Sequence, residues 1–95
     1  MKKVYLLVFS STLGTMEEIK ACMNSIKEIR TWRTDIPNAF YIISESDAKA
    51  LSALIRDCRG GKGRFIITEI PLNKAGWLTP ESWYLINNLK LKPKE

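Results

Sequence analysis

Residues 4–18, VYLLVFSSTLGTMEE, begin the pattern that decides the fold. Val4, Leu6 and Val8 alternate with Tyr5, Leu7 and Phe9, so a strand from Lys3 to Phe9 is apolar on both faces and each face must be covered. After a short polar loop, Thr15-Met-Glu-Glu18 matches a capping box, in which the threonine hydroxyl and the glutamate satisfy orphan amides at a helix start. From there Ile19, Cys22, Met23, Ile26 and Ile29 recur at helical spacing, with Glu17, Lys20, Asn24, Lys27 and Glu28 opposite.

Downstream, Thr31 to Ile36 and Ala39 to Ser44 are β-rich runs separated by Pro37-Asn38, a turn signal, which predicts a hairpin. A second helix is predicted from Asp47 to Arg59, with Ala48, Leu51, Leu54, Ile55 and Cys58 on its apolar side and Gly60-Gly61 ending it. Arg64 to Ile70 reads as the last main strand, and Thr79 with Pro80 opens a short C-terminal helix. The order strand, helix, strand, strand, helix, strand is that of an α+β, ferredoxin-like βαββαβ domain. Right-handed crossovers put both long helices on one face of a four-stranded antiparallel sheet. The other face is then left bare although the first strand is apolar there too. A second copy of the chain is the most economical cover, giving a homodimer through the sheet. The alternative is that the C-terminal segment folds back over it with Trp77, Leu78, Trp83, Leu85 and Ile86.

Ninety-five residues make a single domain, 1–95, with 1–3 and 89–95 expected to fray. No apolar run approaches the roughly 20 residues needed to cross a bilayer, and the first ten residues lack the form of a signal peptide. The cytoplasm is therefore the expected compartment, without a membrane partner. Cys22 and Cys58 agree, since both fall on apolar helix faces where free thiols behave as small hydrophobes, and a disulfide is not expected. The chain has no histidine and no paired cysteine spacing, so metal sites of the zinc type and Ser-His or Cys-His nucleophiles have nothing to build on. No cofactor motif and no small-molecule substrate site can be read from the chain.

The formal charge is +5, but Lys2 and Lys3 supply two units, and Lys90, Lys92 and Lys94 with Glu95 supply two more, leaving +1 for the body. Within the body one segment is locally basic: Arg56-Asp-Cys-Arg-Gly-Gly-Lys-Gly-Arg64 carries four cations against one carboxylate. It is either a solvated turn or a phosphate contact through Arg56, Arg59, Lys62 and Arg64. Arg30 and Arg33 flank Trp32 and are read as complementing a helix dipole or joining Lys20 and Lys27 in a weak basic stripe. Gly60-Gly-Lys-Gly63 is not a Walker loop, because it runs from helix to strand and continues Gly-Arg. Nor is Lys62-Gly-Arg-Phe65 an RNA-recognition signature, because Ile66, Ile67 and Thr68 cannot stack bases. Trp32, Trp77 and Trp83 could stack bases but are expected to pack at the sheet edge and beneath the C-terminal helix.

The run Arg64 to Ile86, RFIITEIPLNKAGWLTPESWYLI, is a strand ending Thr-Glu-Ile, a polar spacer, Gly-Trp-Leu and a helix with a further tryptophan. With Tyr5-Leu6-Leu7, Thr31-Trp32 and Phe40-Tyr-Ile-Ile-Ser44 upstream, it resembles small bacterial proteins known as SinR-like. These are relatives of the second CRISPR-associated protein, the small ferredoxin-like subunit of the spacer-integration complex. The resemblance spans about residues 4 to 87 and implies a homodimer joined through its sheets. In nuclease-active relatives it also implies an aspartate at the end of the first strand, paired across the dimer to hold magnesium against a phosphodiester. Here the matching position is Ser10, whose neutral hydroxyl is a poor substitute, so the family's metal site is expected to be absent. A relocated site could use only the nearest acids, Asp35 and Glu69, the latter read as structural and paired with a cation or a tryptophan amide. Three functions follow in order: a catalytically silent homodimer that binds nucleic-acid backbone, DNA or RNA; a protein-interaction or dimerisation module; and a small metal-dependent endoribonuclease.

Overall fold

The computed structural model describes residues 1–93. Strand β1 (Lys3–Phe9) leads to helix α1 (Met16–Ser25), strands β2 (Ile29–Arg33) and β3 (Ala39–Ser44), helix α2 (Ala48–Cys58), strand β4 (Phe65–Glu69) and helix α3 (Pro80–Asn88). The strands form one sheet in the order β2-β3-β1-β4 with every neighbouring pair antiparallel. This is the α+β arrangement expected of the ferredoxin-like order. Tyr5, Leu7 and Phe9 of β1 join Phe40 and Ile42 of β3 beneath Ile19, Met23, Leu51 and Ile55 of α1 and α2, and this face holds the main core.

α1 starts as its sequence requires. Thr15 N–H donates to Glu18 Oε1 at 2.9 Å and Glu18 N–H donates to Thr15 Oγ1 at 3.2 Å, completing the capping box. It ends earlier than the apolar spacing predicts, at Ser25. Asn24 and Ser25 are poor helix formers, and the Ser25 hydroxyl donates back to the Cys22 carbonyl, competing with the helical ladder. Ile26 turns extended, yet Ile26 and Ile29 still reach the core: Ile29 now does so as the first rung of β2, opposite Ser44. A bulge places Arg30 between the rungs of Ile29 and Thr31. β2 stops at Arg33, short of the predicted Ile36, because the Thr34 hydroxyl bonds to the carbonyls of Ile36 and Ala39 and draws the chain into its turn. Asn38, with φ of 60°, supplies the left-handed residue of that turn.

α2 closes as a Schellman motif, with Gly60 N–H donating to Asp57 O at 3.2 Å and Gly61 N–H to Arg56 O at 2.9 Å. Both glycines have positive φ, the conformation for which they were read as a helix stop.

Two expectations are corrected. First, Cys22 and Cys58 are not free thiols but a disulfide across a sequence separation of 36. Placing α1 and α2 side by side on one face brings the buried Cys22 and the exposed Cys58 together, with Cα atoms 6.1 Å apart, inside the range a disulfide spans. With the thiols paired, the cysteines no longer speak for the cytoplasm. Second, the far sheet face is not bare. α3 lies on it, with Leu85 and Ile86 packed on Val4, Tyr41 and Ile43, flanked by Leu78 and Trp83. The fold-back alternative therefore covers much of the face that argued for a second copy. Of the ends expected to fray, Lys3 pairs with Ser44 and Leu89 caps α3, while residues 94 and 95 lie outside the described residues. No helix among the described residues is long and apolar enough to cross a membrane.

Candidate nucleic-acid interface

Because β1 and β4 are antiparallel neighbours, the end of β1 lies beside the start of β4. The loop Ser10–Gly14 therefore meets the loop Gly60–Arg64. Ser10 N–H donates to Arg64 O at 2.9 Å, tying the two together directly. Gly63, with φ of +83°, lies so close to the Thr12–Leu13 backbone that a Cβ there would fall on Leu13 Cα and N. Leu13 itself is fully buried and plugs the first loop into the core. The result is a fixed platform at one end of the sheet, with a shallow cavity of about 390 Å³ lined by Thr12, Gly61, Gly63 and Arg64.

The six basic residues expected to contact nucleic acid divide into two groups. Arg56, Lys62 and Arg64 are exposed and make no ion pair among the described residues. Arg64 lines the same shallow cavity as Thr12, whose hydroxyl is hydrogen-bonded to that of Ser10. The other three are engaged. Arg59 is mostly buried; its Nε donates to Leu13 O at 2.9 Å and its Nη2 pairs with Glu18 Oε2 at 3.2 Å, so it clamps the first loop rather than facing solvent. Glu18 is held below the usual glutamate range by the Thr15 backbone hydrogen bond and then by the Arg59 charge. Arg30 pairs with Glu45 at 2.8 Å, and Arg33 Nε donates to the buried Ser82 hydroxyl at 3.1 Å, fastening α3 to β2. Arg30 and Arg33 sit on an edge strand, not at a helix end, so neither complements a dipole. Lys20 is spent on Glu17 at 3.4 Å.

At the position where the resemblance implies a metal-binding aspartate, Ser10 Oγ also donates weakly to Arg64 O, at 3.4 Å. A hydroxyl in a hydrogen-bonded loop does not fit a hard divalent cation that needs carboxylates. The relocated pair does not form either. Glu69 is the rung opposite Tyr5, on the α1/α2 face, and lies 3.9 Å from Lys3. Asp35 serves the opposite face, accepting from the Tyr41 hydroxyl at 2.6 Å and from Thr79 N–H at 3.0 Å at the start of α3. Burial acts to raise Asp35, but those hydrogen bonds outweigh it and hold the carboxyl below the ordinary aspartate range. Burial first, and then Asp35, push the Tyr41 hydroxyl up. Among the described residues no three Cys, Asp or Glu side chains gather into a group able to hold a metal ion.

The tryptophans separate as well. Trp32 packs on Phe40 with ring centroids 5.3 Å apart and donates Nε1–H to Asn24 Oδ1 at 2.9 Å, and Trp83 packs beside α3's core residues. Trp77, expected under the helix, stands in water instead, on the irregular segment that precedes the Thr79 cap of α3.

The seryl and threonyl side of the platform was missed from sequence, although its signal was there. Antiparallel pairing of the first and last strands must bring Ser10-Ser-Thr12 to the same end as Lys62 and Arg64. The chain matches no protein-family model, no curated protein and no solved structure.

Proposed function

We propose that the protein binds the sugar-phosphate backbone of a nucleic acid, without sequence readout, at the end of the sheet where Ser10–Gly14 meets Gly60–Arg64. The observation that carries this is the set of three exposed, unpaired cations, Arg56, Lys62 and Arg64, on a rigid platform that also presents Ser11 and Thr12 hydroxyls. Cations and hydroxyls of this kind contact phosphate oxygens and position a strand without reading bases. No stacking platform lies among them, since Trp32 and Trp83 are engaged and Trp77 belongs to the other face. The resemblance to a CRISPR-associated subunit points the same way, toward a nucleic-acid partner, and Ser10 in place of an aspartate favours binding without cleavage.

Fluorescence anisotropy with a labelled duplex and a labelled single strand, across a salt series, tests this. Three phosphate contacts give a slope of about −2.7 in log K against log salt for duplex and about −2 for single strand. The duplex affinity then falls roughly 40-fold between 50 and 200 mM salt. Lys62→Glu with Arg64→Glu abolishes most of that binding and leaves the thermal midpoint unchanged, because neither side chain packs in the core. Absence of binding at 20 mM salt, or unchanged affinity in the double variant, refutes the assignment.

A second reading, a protein-interaction module, is favoured by one separate observation: the exposed Trp77 beside an apolar groove.

A further inference from the structure

Among the described residues three large apolar side chains stand almost wholly in water, Met1 and Leu72 at 96 % exposure and Trp77 at 99 %, and none of the others exceeds 64 %. All three stand together. Met1 and Leu72 line a shallow cavity with Lys2, Lys3 and Glu69, where β1 begins and β4 ends. Trp77 lines the apolar groove next to it, and the two hollows share Ile70, Lys74 and Ile86, so the surface is continuous. Leu72, Lys74 and Trp77 belong to the irregular segment 71–78, PLNKAGWL, which carries no acid. The charged residues lining the whole surface are Lys2, Lys3 and Lys74 against Glu69, which already lies 3.9 Å from Lys3. Lys2 and Lys74 make no ion pair among the described residues.

We propose that this end of the molecule docks on an anionic lipid surface, with Leu72 and Trp77 entering the boundary between headgroups and acyl chains and Lys2 and Lys74 facing the lipid phosphates. Exposure and charge together choose the partner. Apolar side chains that project almost wholly into water suit a soft medium rather than a shaped pocket, and a bilayer interface is one, with tryptophan favoured at headgroup depth. Lysines among them, on a surface whose one carboxylate is paired, complement anionic headgroups, and each cation near such a surface adds about fivefold to affinity. An apolar contact of this size gives reversible attachment and needs the basic cluster beside it to hold. Such contact requires neither a spanning helix nor a leader segment. The basic platform lies beyond Phe9 and before Phe65, at the other end of β1 and β4, about 20 Å away along the strands. Lipid contact is therefore independent of nucleic-acid binding, and one molecule can do both.

Co-sedimentation of the full chain with vesicles of phosphatidylcholine alone, and of phosphatidylcholine mixed with phosphatidylserine, tests this. The chain should pellet with the mixed vesicles far more than with the neutral ones and be released as salt rises. Its tryptophan emission should shift to the blue on attachment and be quenched by brominated acyl chains. Trp77→Ala should remove the shift and weaken attachment about tenfold, the effect of leaving roughly 55 Å² of apolar surface out of the boundary. Lys74→Gln should weaken it about fivefold. Circular dichroism and thermal midpoint should stay unchanged in both, since neither side chain belongs to a core cluster. Two variants of equal net charge locate the contact: Lys2→Glu with Lys74→Glu should lose more attachment than Lys62→Glu with Arg64→Glu on the platform. Attachment that survives Trp77→Ala, equal attachment to neutral vesicles, or a greater loss in the platform variant overturns the proposal. So does no attachment to either vesicle at low salt, which leaves Trp77 to a protein partner.

Discussion

Reduction of the Cys22–Cys58 bond should cost the native state about 4 kcal/mol. The bond closes a loop across a sequence separation of 36. On the chain-entropy model a loop of that length loses about 13 cal/mol/K in the unfolded ensemble, or about 3.8 kcal/mol at 25 °C. Reduction is a cleaner perturbation than substitution, because both sulfur atoms stay in place and no cavity opens in the core where Cys22 is buried. Attack by a dithiol reductant should occur at Cys58, the exposed partner at the end of α2. Set against a total stability of roughly 5–14 kcal/mol for a chain of this length, a loss of about 4 leaves a marginal fold. The thermal midpoint should fall by about 15–30 °C. The assay is a pair of melts followed by circular dichroism, with and without a phosphine reductant, beside a thiol titration of the native and denatured protein. Two reactive thiols in the denatured, unreduced chain would remove the premise. A reduced midpoint within a few degrees of the oxidised one would refute the energetic reasoning, because α1 and α2 would then be held by their packing on Leu7, Phe40 and Ile42 alone.

Gly63→Ala should cost several times more than Gly60→Ala, about 3 against about 1 kcal/mol by urea denaturation, because both have positive φ but only Gly63 has backbone where the new methyl must go. Asp35→Ala should destabilise by about 1–3 kcal/mol, since it orphans the Tyr41 hydroxyl and the Thr79 amide. Asp35 titrates lower folded than unfolded, so its contribution is fully present above about pH 4 and is lost as pH falls below that; hydrogen exchange should show α3 loosening in that window in the wild type and not in Asp35→Asn. Arg59→Gln should lower stability, through loss of its bonds to Leu13 and Glu18, and should change the salt slope of nucleic-acid binding by much less than Arg64→Gln does.

What could be read from the chain alone was whatever local pattern decides. The alternation in Lys3–Phe9, the Thr15–Glu18 box and the Gly60-Gly61 stop each hold in the structure at those residues. What escaped was decided by contacts distant in sequence. Ile29 has helical spacing from Cys22 and Ile26 but finds a better partner in Ser44, fifteen residues on, once the sheet exists. Cys22 and Cys58 carry no spacing signal, and only the side-by-side placement of two helices joins them. Arg59 is indistinguishable from Arg56 and Arg64 as a letter; its burial follows from a loop it meets across 46 positions. Trp77 and Trp83 share an apolar, helix-flanking context, yet the one sits before the Thr79 cap and the other within α3, which alone separates an exposed indole from a packed one.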